Sequence, residues 1–190
     1  ANRIPMTPQV PSELQPLPFV VAIFARLESG ALQFLGTGTV IGQSLVLTCR
    51  HVVQHPDSTD DDPEFQSSLV IRAGDGTAIE VVGEAFDPPL DLAVLRSTSP
   101  LAIEPVPFAT KLNQSFVDHF DRLDLRVVGF PASSQKQSTF SPLQYTLPKT
   151  AGGRLETLQL DGGIDEGCSG GPALVQNCET WQCFGIAVLG

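Results

Sequence analysis

Five of the ten residues from 162 to 171 are glycine, namely Gly162, Gly163, Gly167, Gly170 and Gly171, and Ser169 lies among them. Pro172 follows, and a helix could not run through it. The apolar residues Ala173, Leu174 and Val175 come next. The segment Asp161–Leu174 must therefore be a loop that feeds a strand. Glycine permits backbone angles other residues resist and lets other groups approach the main chain closely. A hydroxyl framed this way reads as a site of contact. To act as a nucleophile, a serine needs a base, a group that orients the base, and N–H donors for the oxyanion.

The 190-residue chain is one domain in size, or two small halves sharing an interface. It is 42% apolar, its apolar runs are short, and Gly (17) and Pro (16) punctuate them. That pattern favours an all-β class over a helical bundle. No apolar run could span a bilayer, so the reading is a soluble protein without membrane insertion. The net charge of −10 is uneven: −8 over residues 1–95 and −2 over 96–190. Without a Lys/Arg cluster, nucleic acid is not an expected partner. The acidic excess lies in 57–64, which reads as a solvated loop. Of four cysteines, Cys178 and Cys183 flank four residues and are spaced to close a hairpin disulfide. Cys49 and Cys168 have no evident partner, which favours an intracellular compartment over a periplasmic or secreted one.

Along the chain, residues 1–18 read as a proline-rich extended arm. Strands are expected at Pro18–Arg26, Leu32–Leu35, Ser44–Thr48, Leu69–Arg72, Ala78–Val82 and Asp91–Arg96, with a short helix or turn at Cys49–Val53. Residues 54–68 read as a polar loop and 97–107 as a proline-punctuated connection. Leu112–Leu123 has weak helical character. Further strands are expected at Leu125–Pro131, Leu143–Leu147, Arg154–Leu160, Ala173–Gln176 and Cys183–Leu189, with 132–142 a polar loop. About a dozen short strands suit a barrel or sandwich.

Three histidines could supply the base: His51, His55 and His119. His51 follows an apolar strand and so sits where a side chain can enter a cleft. Asp91 opens the apolar run Leu92–Leu95, and a carboxylate there must be satisfied by hydrogen bonds. Asp87 is its rival, but Pro88 and Pro89 place it in a solvated turn. The order His51, Asp91, Ser169 discriminates between hydrolase folds. Gly167-Cys-Ser-Gly-Gly171 also fits the G-x-S-x-G elbow of α/β-hydrolases, but that fold needs a histidine after the serine, and none follows Ser169.

Taken together, these segments resemble trypsin-like serine peptidases, closest to the bacterial HtrA/Deg-type branch. Gly36-Thr-Gly-Thr-Val-Ile-Gly42, Leu47-Thr-Cys-Arg-His-Val-Val53, Asp91-Leu-Ala-Val-Leu95, Leu160–Pro172 and Gly185-Ile-Ala-Val188 carry the resemblance, in family order. It implies a chymotrypsin-like all-β fold of two six-stranded antiparallel β-barrels with the active site in the cleft between them. The N-terminal barrel would span 19–97, the connection 98–108 and the C-terminal barrel 109–190. The family normally continues beyond the position of Gly190, so the expectation is either a trimmed domain or a last strand supplied from elsewhere. The resemblance further implies a serine endopeptidase with Ser169 as nucleophile, His51 as base and Asp91 as orienting carboxylate. The oxyanion hole would lie at Gly167, Cys168 and Ser169, with its N–H donors on Gly167 and Ser169, and no cofactor or metal would be needed. The partners implied are a polypeptide substrate and a regulatory protein or further domains. Gly163 and Ile164, with Ala187, Val188 and Leu189, would line the substrate cleft. Gly163 stands where a basic-P1 enzyme needs an aspartate, which implies a small or apolar P1 residue. Cys168 replaces the usual Asn or Asp before the serine, so activation by a freed N-terminus is not expected.

Overall fold

The computed structural model describes residues 17–109, 125–140, 144–146, 159–161, 164–177 and 180–189. The expected helix at Leu112–Leu123, together with His119, Gly162, Gly163 and Cys178, lies outside them, as does the arm up to residue 16.

The most continuous apolar run, Val20–Ala25, becomes the first strand, β1 (Val20–Arg26), and all six of those residues are buried. A strand buried on both faces must be paired on both edges and covered on both sides, and β1 is paired with β2 (Leu32–Val40) and β4 (Leu69–Arg72). Pairing continues through β3 (Leu45–Cys49), β6 (Leu92–Ser97) and β5 (Ala78–Asp87), which returns to β4 and closes a six-stranded barrel in the order β1-β2-β3-β6-β5-β4. Closure leaves no open edge to template association. The short helix α1 (Arg50–Val53) follows β3, with Val52 and Val53 turned into the core. Two strands run further than expected. β2 extends through Gly36-Thr-Gly-Thr39, and β5 reaches Asp87 by way of an irregularity between Gly83 and Ala85.

The 54–68 segment departs from a purely solvated loop. His55 N–H donates to Glu64 O (2.7 Å), and Gln66 N–H donates to Val53 O (3.0 Å). Phe65 stacks on Phe86 with ring centroids 3.8 Å apart and covers Gly83, where a Cβ would overlap its ring. Packing of one aromatic therefore ties a polar segment to the barrel.

The C-terminal half has six strands but no second closed barrel among the described residues. β7 (Leu125–Gly129), β8 (Ser138–Phe140), β11 (Pro172–Asn177) and β12 (Thr180–Ile186) form one sheet in the order β12-β11-β7-β8. β9 (Gln144–Thr146) and β10 (Gln159–Asp161) pair only with each other, over three residues. Among the described residues one barrel of the expected two is closed, and no described register joins the short pair to the four-stranded sheet. β8 lies within the stretch read as a polar loop. It is an edge strand held through its backbone to β7, so its side chains need not alternate. β12 starts earlier and stops earlier than expected, with Thr180 paired to Asn177 at its start and Ile186 to Pro172 at its end.

The connection between the halves is stitched to both. Leu101 N–H donates to Gln43 O (2.6 Å) and Val106 N–H to Val40 O (2.9 Å), with both side chains buried. Cys183 N–H then donates to Pro107 O (2.7 Å), and Ala109 N–H donates to Cys183 O (2.8 Å). At the other end of the described chain, Leu17 exchanges two hydrogen bonds with the Gln137 side chain.

Candidate active site

His51 sits in α1, one turn past the buried end of β3. Asp91 sits between the 3₁₀ turn Pro88–Leu90 and β6, with a left-handed backbone (φ 54°). Aspartate is among the few non-glycine residues that adopt this conformation readily. The turn presents the carboxylate to α1. Asp91 Oδ2 lies 2.5 Å from His51 Nδ1, and Asp91 Oδ1 accepts the His51 backbone N–H at 3.1 Å. With Nδ1–H donated to the carboxylate, the Nε2 lone pair is left for another group. The rivals do not join this pair. His55 Nδ1 accepts the Asp57 N–H (3.1 Å), and Asp87 is exposed.

The loop carrying Ser169 is docked on β2 by buried hydroxyls. Thr37 N–H donates to Ser169 O (3.1 Å) and Thr37 Oγ1 to Gly167 O (2.7 Å). Thr39 Oγ1 donates to Gly170 O (3.0 Å), and Thr48 Oγ1 donates to Thr37 O (2.7 Å). Thr37 Oγ1 also accepts the Phe130 N–H (2.9 Å). All three threonines are fully buried. They are functional positions the motif reading passed over. The available signal was Gly-Thr-Gly-Thr at 36–39, which in a strand puts two hydroxyls on one face and two glycines on the other. A Cβ on Gly170 would fall 2.0 Å from Thr37 O, and one on Gly171 would fall 2.0 Å from Val128 O, so the loop can dock only with glycine there. Thr37→Val would leave Gly167 O and Phe130 N without their partner, at about 1–3 kcal/mol for each buried group. Denaturant unfolding should show the loss, and Thr37→Ser should recover most of it.

The Ala187 carbonyl joins the two halves of the site. It accepts Gly170 N–H (2.8 Å) and Cys49 Sγ–H (3.3 Å), so a residue next to Ser169 and one two before His51 share an acceptor. Ala187 N–H donates to Gly171 O (2.9 Å). Both main-chain groups of Ala187 thus support the loop. Val188 is exposed, and Leu189 N–H donates to Ser169 Oγ at 3.2 Å. That bond uses a lone pair of the hydroxyl and leaves its proton to be donated. Ile164 packs against Val127, Ala173 and Ala187.

Gly167 has φ +96°. Among the described residues no hydrogen bond uses the N–H groups of Gly167 or Ser169. Cys168 N–H, by contrast, donates to Asp165 O (3.2 Å), so Cys168 contributes no donor to an oxyanion hole. Its side chain is buried beside Gly129. Burial, then the Asp165 charge, pushes its thiol up to about 12, with a smaller opposing effect from a backbone hydrogen bond. Cys49 is likewise pushed up to about 12, by burial and then by the Asp91 charge. Cys183 is pushed up to about 11 by burial. Cys183 is a free thiol whose Sγ donates to Gly185 O (3.2 Å), so the bridge to Cys178 suggested by spacing is not formed. β12 buries this side chain in the core instead.

These thiols carry a pH prediction. Folded values of 11–12 exceed the value of about 8.5 for a free thiol. The folded state therefore holds its protons longer than the unfolded state does. The resulting stability is fully present below about pH 8.5 and is lost as pH rises from there through 11–12. Urea midpoints should fall over that window. Alkylation of the native protein at pH 8, mapped by mass spectrometry, should spare Cys49, Cys168 and Cys183 and reach all three in denaturant.

Cys49 Sγ, a His51 ring nitrogen and an Asp91 oxygen lie within 4.8 Å of one another. Their chemistry suits proton handling rather than metal ligation. The thiol is held protonated, the imidazole and carboxylate are bonded to each other, and the Arg50 guanidinium stands 3.4 Å from Asp91.

A closed six-stranded barrel that carries a His–Asp pair, with a glycine-framed serine loop docked on its second strand, has the chymotrypsin-like fold. Residues 36–186 match the model of the trypsin-like peptidase domain, and the chain belongs to that family. A serine endoprotease from Yersinia pestis superposes with a TM-score of 0.60 at 23% identity, over 89% of this chain and 53% of that one. The Rv3671c protease from M. tuberculosis superposes in its active form with a TM-score of 0.59 at 21% identity, over 89% of this chain and 69% of the other. Its inactive form gives 0.56 at 23% identity, over 89% and 76%. The chain spans about half the length of the Yersinia protein. Among curated proteins, none matches this sequence. No helix among the described residues is long and apolar enough to cross a membrane.

Proposed function

We propose that this domain is a serine endopeptidase that works through Ser169, His51 and Asp91. The observation that carries the reading is the 2.5 Å contact between His51 Nδ1 and Asp91 Oδ2, in a site where Ala187 O ties the histidine strand to the serine loop. Ser169 Oγ attacks a peptide carbonyl and its proton passes to His51 Nε2. Asp91 accepts Nδ1–H throughout and stabilises the imidazolium. The unpaired N–H groups of Gly167 and Ser169 receive the oxyanion, worth about 3–4 kcal/mol of barrier per donor. His51 then returns the proton to the leaving amine, and water hydrolyses the acyl-enzyme by the same steps. The substrate is a polypeptide lying extended past Val188, and glycine at position 163, six before Ser169, favours a small or apolar P1 residue. The cleft lies between the closed barrel and the C-terminal sheets, which we read as the second barrel of the fold.

The test is covalent labelling by a fluorophosphonate probe. Labelling of the folded domain at Ser169 supports the reading. A folded domain that stays unlabelled, alone and with added partner proteins, would identify a protease-like binding module instead. Labelling only once a partner is added would identify a peptidase regulated by that partner. Asp91→Asn should lower kcat by about 10⁴-fold, the loss seen when the equivalent residue is changed in a trypsin-like enzyme, with the fold unchanged by circular dichroism.

A further inference from the structure

Arg50 precedes His51, and its side chain lies between the Asp91 carboxylate and the acidic loop. The side chain is 12% exposed. Its Nε is buried without a hydrogen-bond acceptor and faces Asp91 Oδ1 at 3.4 Å. Its Nη1 donates to Asp60 Oδ1 (2.7 Å) and to Gln54 Oε1. Its backbone N–H donates to Asp91 O (2.8 Å). Asp91 Oδ1 is therefore shared by a cation and the His51 N–H, and Oδ2 is left to the ring.

We propose that Arg50 is a positioning residue that sets the field at the His51–Asp91 pair, and that Asp60 in the acidic loop tunes it. The inference rests on the proposed roles of His51 and Asp91. A guanidinium out of water beside the carboxylate partly cancels the negative charge that an imidazolium relies on. Asp60, with its side chain 80% exposed, partly cancels the guanidinium in turn. Arg50 also holds the Asp60 carboxyl below the usual carboxylate range. Among the described residues, the groups facing the pair are Arg50 from α1 and the protonated Cys49 thiol from the end of β3, while Asp87 at the end of β5 is exposed. The 57–64 loop thereby becomes an electrostatic input to the site, and any partner or cation that takes Asp60 away from Arg50 weakens the base.

The test follows the low-field Nδ1–H proton resonance of His51 with pH, by nuclear magnetic resonance and without substrate. In Arg50→Gln the midpoint should rise by roughly one pH unit. Arg50→Lys, which keeps the charge, should recover at least half of that shift. Asp60→Asn should move the midpoint down, by roughly a few tenths of a unit because the pair is exposed. A folded Arg50→Gln protein with the wild-type midpoint overturns the proposal. If that variant does not fold, Asp60→Asn decides alone, and an unchanged or raised midpoint overturns it. Because the readout needs no turnover, a probe-labelled enzyme with unmoved midpoints sinks this inference only. Moved midpoints in a protein that the probe does not label sink the peptidase reading only.

Discussion

Ser169→Ala will abolish fluorophosphonate labelling and lower kcat by about 10⁶-fold, the scale found when one member of a serine triad is removed. The residue is buried (3% exposed), and its hydroxyl accepts one hydrogen bond, from Leu189 N–H. Losing that acceptor costs about 1 kcal/mol of stability, far less than the change in activity. The separation is the point of the experiment. A chemical role predicts a large kinetic loss with a melting temperature shifted by a few degrees at most. His51→Ala should lose as much activity as Ser169→Ala, and the double variant little more, since residues that act as a unit are not additive. A Ser169→Ala protein that still labels, or still cleaves at the wild-type rate, would remove Ser169 from the mechanism.

Gly170→Ala should have the largest effect on stability of any single methyl added to the site. At φ +93° an alanine is strained by about 1–2 kcal/mol. Its Cβ would also sit 2.0 Å from Thr37 O and 2.4 Å from Thr48 Oγ1, so the loop would have to leave β2. Overpacking of this kind typically costs a further 1–3 kcal/mol. The melting temperature should fall by on the order of 10 °C, and labelling at Ser169 should be lost with it. Gly30→Ala is the control. It has a similar φ of +84° but nothing within 4 Å of the added carbon. It should show the strain alone, with labelling intact. Equal losses for the two variants would mean that docking against Thr37 and Thr48 contributes nothing.

Much of this site was legible because chain order and local composition constrain it directly. The barrel strands announced themselves as short apolar runs between turn residues, and β1 did so as an unbroken one. The glycine cluster around Ser169, and the order of His51 and Asp91 before it, separated the serine-hydrolase folds before any contact was known. A histidine at a strand end and an aspartate before an apolar run are properties of the chain itself.

What the sequence did not carry depends on residues distant in the chain. Thr37 and Thr39 matter because strand pairing turns them to a loop some 130 positions away, and Thr48 because it bonds Thr37 O on the neighbouring strand; a threonine in a strand has no motif to mark it. Asp91 reads as the first residue of a strand, but the 3₁₀ turn before it forces a left-handed backbone and so aims its carboxylate at α1. No motif marks the main chain of Ala187, which packing engages with Gly170 and Gly171 of the serine loop. The Cys178–Cys183 spacing suggested a bridge, and the register of β11 against β12 buried Cys183 as a free thiol. Arg50 was simply the residue before the histidine until the fold set it between Asp60 and Asp91. Residue type and order determined by themselves which chemistry this chain can support. Register and packing, which depend on where each backbone group finds its partner, decided which groups are free to perform it.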